Sequence, residues 1–262
     1  MAIEDITTVT VTVHPEASEH GRLLAPVGIP TPYQTPLSFS VSGGSWSLTG
    51  ETTTGQMAAL IETEDHGPVM LTYRFSEIAG HYPDALFRPR ETRFTRAAAD
   101  LVRDARRIAE DARDGHSAIA AIVNDTAEKF TYGHPATKYY DGLDAIPHLG
   151  CGLTEGSCVD INTYLIAALR SAGFEAGYVT GYFFPAEKNG CCDDMHCWVV
   201  TRPEGAMIYY EGKPLTRLNK RGQAEPLRTP TVVLCPGGSS PKYSLQKAGF
   251  ENFLTTVNPI RT

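Results

Sequence analysis

Cys158 opens the segment G-S-C-V-D-I-N-T-Y-L-I-A-A-L-R-S-A-G-F over residues 156–174, and His196 follows in D-M-H-C-W-V-V over residues 194–200. A thiol and an imidazole are the pair that nucleophilic acyl transfer needs. The sulfur attacks as its thiolate, and the ring takes up and returns the proton. Taken singly, neither residue is informative. An unlinked cysteine commonly ends as a small buried hydrophobe, and a lone histidine in a strand more often packs than catalyses. Their value lies in the elements that must hold them.

Ser157 followed three residues later by Asp160 reads as a capping-box-like helix start, with Asp in place of the usual Glu or Gln. Ile161, Leu165, Ala168, Leu169 and Ala172 then recur at helical spacing, and Gly173 is a left-handed stop. Cys158 therefore falls beside unpaired backbone N–H groups and the positive end of the helix dipole. Both favour the thiolate and both suit a developing oxyanion. Downstream, residues 175–184 read as a strand with Gly177 and Gly181 as tight spots. Residues 185–194 read as a polar loop, and residues 195–201 with 206–211 form a hairpin around R-P-E-G. His196 lies near the start of the hairpin's first arm.

These blocks in this order (G-S-C, a helix ending L-R-S-A-G-F, a strand E-A-G-Y-V-T-G-Y, then H-C-W) resemble the transglutaminase-like cysteine enzyme superfamily. The helix and aromatic turn at residues 118–132 extend the likeness, which covers about residues 94–212. The resemblance implies a papain-like core with Cys158 as nucleophile on a helix and His196 as base on a following strand. In that family an Asp or Asn orients the imidazole, but I-Y-Y-E-G-K at residues 208–213 contains neither. Glu211 stands at the expected offset and Asn219 is a fallback. A carboxylate accepting from the ring would fix its tautomer, and whether Glu211 faces His196 depends on hairpin register. A solvated strand-end Glu is an equal reading. The implied activity is hydrolysis of a peptide or carboxamide bond on a protein or peptide substrate. Transglutaminase cross-linking and a catalytically silent scaffold are the alternatives.

Composition predicts an ordinary soluble chain. Of 262 residues, 42% are hydrophobic and 20% charged, enough for a sizeable core. The net charge of −7 and the lack of any Lys/Arg run give nucleic acid no footprint. No apolar stretch approaches the length that spans a bilayer. The start M-A-I-E-D-I-T-T-V-T carries no basic region followed by an apolar core, which predicts a cytoplasmic protein. Six cysteines are too few for a disulfide scaffold. Cys191, Cys192, Asp193, Asp194, His196 and Cys197 lack zinc-knuckle spacing, so neither metal nor cofactor is expected. If Cys197 alternates with His196 along the strand, it faces away from the nucleophile.

The fold class expected is α+β: a nucleophile helix packed on an antiparallel sheet, preceded by an all-β module. Residues 1–90 read as the β-sandwich-like domain, with strands at residues 7–13, 37–41, 46–48 and 69–75. Pro26, Pro30, Pro32 and Pro36 punctuate a loop between the first two. Residues 91–262 read as the catalytic domain. A proline-broken linker at residues 81–94 leads to helices at about 94–113 and 117–130, and residues 133–156 form a long loop placed to line a cleft. Trp198 shares a strand face with His196 and reads as core.

Overall fold

The run T-T-V-T-V-T-V alternates because one face must be buried, and it forms most of strand β1 (Ile6–Val13). The computed structural model describes residues 6–14, 21–32, 34–50, 56–63, 67–76, 78, 80–88, 92–183, 191, 195–202, 208–211 and 231–235; within strands, the side chains of residues 183, 196, 208–211 and 231–235 lie outside that description. The chain divides into two compact units, residues 1–85 with 179–196 and 229–262, and residues 86–178 with 197–228.

In the first unit β1 is followed by β2 (Arg22–Pro26), β3 (Thr35–Ser42), β4 (Gly44–Gly50), β5 (Met57–Thr63) and β6 (Val69–Ser76). Two three-stranded antiparallel sheets result, ordered β1-β6-β3 and β2-β5-β4. Register places Val9 opposite Tyr73, Val11 opposite Leu71 and Val13 opposite Val69, so the apolar positions of the two strands share a face. Val9, Val11, Val69, Leu71, Tyr73 and Phe75 from one sheet meet Leu23, Ala25, Ala59 and Ile61 from the other in a single buried cluster. That is a sandwich core, each large side chain contributing about 1.5–3 kcal/mol by leaving water. The buried Tyr73 hydroxyl donates to the Pro26 carbonyl at 2.9 Å, satisfying two polar groups inside it. The loop expected between the first two strands is corrected here: its first part is β2, which ends on Pro26, where a missing N–H costs nothing further along the ladder.

In the second unit, α1 (Ala99–Glu110) and α2 (Gly115–Glu128) lead to β7 (Phe130–Tyr132), β8 (Thr154–Gly156) and α3 (Cys158–Ser171). The helix expected from residue 94 starts five residues later. Residues 96–98 are extended, with Ala98 N–H donating to Ile146 O (2.9 Å) and Ile146 N–H to Arg96 O (2.8 Å). The second helix starts at Gly115 because the Asp114 carboxylate caps it, accepting from Ser117 N–H at 2.8 Å. The stop after α3 matches expectation. Gly173 has φ +91°, its N–H donates to Arg170 O and Phe174 N–H donates to Leu169 O, both at 3.0 Å. This is the paired-bond C-terminal motif that favours glycine. Residues 133–156 are not wholly loop, since β8 at their end pairs in parallel with β7.

The chain continues through β9 (Ala176–Phe183), β10 (Met195–Thr201), β11 (Ile208–Glu211) and β12 (Thr231–Cys235), forming a sheet ordered β11-β10-β9-β12. The first residues of β9 and the last of β10 belong to the second unit, where Ala176 and Val199 join the α3 core. Helices packed on a sheet, with all-β structure before them, make the chain α+β as expected. Among the described residues no helix is long and apolar enough to cross a membrane.

Arg170 ties the end of α3 to β9. Its Nε donates to Ala176 O at 2.9 Å and Nη2 to Leu86 O at 3.4 Å. Burial pushes the guanidinium down to about 10, so it stays charged at neutral pH. Gly177 lies in the same crowded place, where a Cβ would come 2.4 Å from Leu86 Cγ. Gly177→Ala is therefore expected to destabilise by about 1–3 kcal/mol in denaturant unfolding. In the Leu86→Ala background the same change should cost much less; equal costs in both backgrounds would disprove this contact as the cause.

Candidate active site

The site begins with a glycine. Gly156 ends β8 opposite Tyr132, and its carbonyl accepts from Gly133 N–H at 3.0 Å. A Cβ on residue 156 would lie 3.0 Å from both Asp160 Cβ and Phe130 Cδ1. A side chain here would require Asp160 or Phe130 to give way by a few tenths of an ångström, which suits glycine to the first position of G-S-C. Ser157 then takes the extended N-cap conformation and Cys158 is the first helical residue.

Asp160 closes the turn. Its Oδ2 accepts from Ser157 N–H at 2.8 Å and from Ser157 Oγ–H at 2.6 Å. The first bond is the return limb of the capping box expected from S-x-x-D, now made by the shorter side chain. Asp160 is wholly buried, and Lys138 reaches it from the 133–153 connection with Nζ 2.8 Å from the same oxygen. The Tyr139 hydroxyl donates to the Asp160 carbonyl at 3.3 Å. Among the described residues Asp160 Oδ1 finds no hydrogen-bond partner.

Cys158 is 8% exposed. Within the same unit its thiol has a hydrogen-bonding neighbour in the thiol of Cys197. Asn162, one turn along α3 from Cys158, donates from Nδ2 to Cys197 O (3.0 Å) and to Cys197 Sγ (3.4 Å). This corrects the expectation that Cys197 faces away from the nucleophile. The β10 face turned toward α3 is the one carrying Cys197 and Val199, both about fully buried, because burying that pair under the helix sets the pleat. Burial pushes the Cys197 thiol well above its usual range, and the bond to Cys158 adds to the rise. Tyr178 is raised in the same way, by burial first and then by the two sulfurs.

His196 is the second residue of β10, and its side chain lies outside the described residues. Glu211 ends β11 directly opposite Trp198, and its side chain too lies outside them. Trp198 is buried, as expected of a core residue. Asn219 falls outside the described residues, as do Cys192, Asp193 and Asp194 of the cysteine-rich cluster. Among the described residues no group of three or more His, Cys, Asp or Glu is placed to hold a metal ion. Sequence reasoning missed Lys138 and Asn162. The i, i+4 spacing of Asn162 from Cys158 was a usable signal; Lys138, distant in the chain and inside an irregular connection, offered none.

A raised thiol pKa has a stability consequence of known sign. As pH climbs past the unfolded value of about 8.5, the unfolded chain releases the Cys197 proton while the folded chain keeps it, so folding stability declines. Between about pH 8 and pH 9.5, below the range of exposed tyrosine, the unfolding free energy should fall with pH. Cys197→Ala should flatten that slope whatever its effect on absolute stability. An unchanged slope in denaturant titrations would contradict the burial of this thiol.

Residues 103–205 match the model of the transglutaminase-like superfamily. The matched span includes Cys158 and His196 and stops short of Glu211. No curated protein matches the sequence. Among solved structures, a protein from Cytophaga hutchinsonii named as a candidate cysteine protease superposes with a TM-score of 0.52 at 15% identity, over 88% of this chain and 83% of that one. The periplasmic domain of TgpA from Pseudomonas aeruginosa gives a TM-score of 0.37 at 14% identity, over 79% of this chain and 81% of that one. At these identities the first likeness is one of fold, and it agrees with the α+β architecture.

Proposed function

We propose that this chain, whose residues 103–205 match the model of the transglutaminase-like superfamily, hydrolyses a peptide or carboxamide bond through Cys158, His196 and Glu211. The observation that carries the reading is the seating of Cys158 on the first turn of α3, within the span that matches the superfamily. A thiolate there is favoured by the helix end and by N–H groups that no helical carbonyl accepts.

In this reading Cys158 Sγ attacks the carbonyl carbon and a C–S bond forms, while backbone N–H groups at the helix start accommodate the oxyanion. His196, holding the proton taken from the thiol, delivers it to the leaving nitrogen as the C–N bond breaks. Water then attacks the acyl-enzyme, giving its proton to His196, and the acid leaves as the thiol is restored. Glu211 orients the ring by accepting its second N–H. If an amine replaces water the product is a cross-link. A protein or peptide substrate and a cytoplasmic setting, where thiols stay reduced, belong to the same proposal.

A silent scaffold is the second reading. It is favoured by the low exposure of Cys158, by the alternation along β10 that gives Cys197 and Val199 the face turned toward α3, and by Glu at the position where the superfamily resemblance leads one to expect Asp or Asn. The readings separate on a mixture of glutamine-containing peptides, followed by mass spectrometry for cleavage, ammonia release and amine incorporation. Turnover is expected, lost by about a thousandfold or more in Cys158→Ala and in His196→Ala, and by about a hundredfold or more in Glu211→Gln. Turnover that survives Cys158→Ala would refute the thiol mechanism; its absence from the unaltered protein would favour the scaffold.

A further inference from the structure

We propose that Lys138 is a positioning residue for the Cys158 nucleophile: its ammonium neutralises the buried Asp160 carboxylate and pins the Ser157–Cys158 turn. The inference rests on Cys158 acting as a thiolate, and it assigns a task to a residue that lies twenty positions upstream in an irregular connection.

The geometry contains a conflict that something must resolve. Asp160 is needed at the helix start, because its Oδ2 holds both the N–H and the O–H of Ser157. Placed two residues after Cys158, the same carboxylate opposes a second negative charge on the sulfur. Water cannot screen the two, since Asp160 is fully buried and Cys158 nearly so. Lys138 supplies the missing positive charge. Its Nζ lies 2.8 Å from Asp160 Oδ2 and 3.4 Å from Ser157 Oγ, so one ammonium meets both partners of the turn.

The ammonium is itself held in place. Lys138 N–H donates to Asp141 Oδ2 at 2.8 Å, closing a tight turn around residues 138–141. The next residue, Tyr139, packs its ring against Phe130 and Tyr164 and donates to the Asp160 carbonyl. Two successive residues thus grip the first turn of α3 from the same side. Among the described residues, the other titratable groups around this turn include Tyr139, Tyr140 and Asp141 from the connection, Glu155 from β8, Tyr164 from α3, Tyr178 from β9 and Cys197 from β10. The tyrosines and Cys197 are neutral at pH 7, each raised chiefly by burial. Lys138 is the cation of this group.

A merely structural ion pair would cost stability when cut and leave the sulfur's chemistry alone. A positioning ammonium predicts shifts of opposite sign from its two ends. The experiment measures iodoacetamide alkylation of Cys158 against pH on the full chain, with peptide mass spectrometry separating Cys158 from the other thiols. Lys138→Met should raise the midpoint by about one pH unit, slowing alkylation at neutral pH about tenfold. Lys138→Arg should keep the original profile. Asp160→Asn retains an acceptor for Ser157 and should lower the midpoint, and the Lys138→Met/Asp160→Asn double variant should return it near the original. Unchanged midpoints, or shifts of the same sign from both single variants, in proteins whose circular dichroism matches the original, would overturn the proposal. Should Lys138→Met fail to fold, Asp160→Asn and the double variant decide: no downward shift in Asp160→Asn rejects it. Alkylation needs no turnover, so opposite shifts in a protein that hydrolyses nothing would reject the acyl-transfer reading and leave this inference standing.

Discussion

A carboxylate that is fully removed from water must be met by donors or a cation, and Asp160 meets that demand through Oδ2 at the one turn where chemistry is expected. Its Oδ2 gathers the Ser157 backbone N–H, the Ser157 hydroxyl and the Lys138 ammonium within 2.6–2.8 Å. Buried ionic groups of this kind lend specificity more reliably than stability, because desolvation offsets most of the attraction. What the arrangement specifies is position. The 133–153 connection, the N-cap and the first residue of α3 have little freedom to move independently. The glycine at residue 156 fits the same constraint, since a Cβ there would crowd Asp160 and Phe130.

From that turn, α3 runs as the spine of the second unit. Every residue from Ile161 to Leu169 is buried, a pattern of a helix surrounded on most sides and not of one lying on a surface. Tyr139, Tyr140 and Tyr164 gather around its first half, Tyr139 in edge contact with Tyr140 and Phe130. Their phenols are pushed far above the usual range by burial, which keeps these rings neutral beside the Asp160 carboxylate. Apolar bulk beside a few fixed polar groups is the setting in which helix-end N–H groups act most strongly on charge.

The parts of this fold that were legible in the sequence are those where local chemistry and periodicity agree. The β1 and β6 runs alternate cleanly, and both ends of α3 are written in Ser157, Asp160 and Gly173. The β5 segment M-A-A-L-I-E-T shows why the rest was not. Its composition favours helix, yet it is the middle strand between β2 and β4, where Ala59 and Ile61 are fully buried in the sandwich interior. Tertiary packing overrides a weak local preference there. Helix α1 begins late for a related reason, its expected first turn being used to pair with Ile146. At the site, the sequence could point to Cys158 through its helix, but not to Lys138. The ion pair joins residues 22 apart through an irregular connection, and no period or motif records such contacts.

The neighbouring thiols show how one small volume can treat two chemically identical groups differently. A negative charge on either sulfur disfavours a second on the other, so in the proposed chemistry only one of the two carries charge. Their surroundings then decide which sulfur holds it. Cys197 sits in mid-sheet with its backbone carbonyl and sulfur both taken by Asn162, and burial raises its thiol. Cys158 stands where a helix presents its positive end, beside a carboxylate whose charge a lysine has already met. Protonated Cys197 then becomes a donor to its neighbour, and a hydrogen bond to the charged form favours that form. The asymmetry needs no difference in residue type, only in which element carries each sulfur, and for that reason the helix start matters more to the proposed chemistry than the thiol count of the chain.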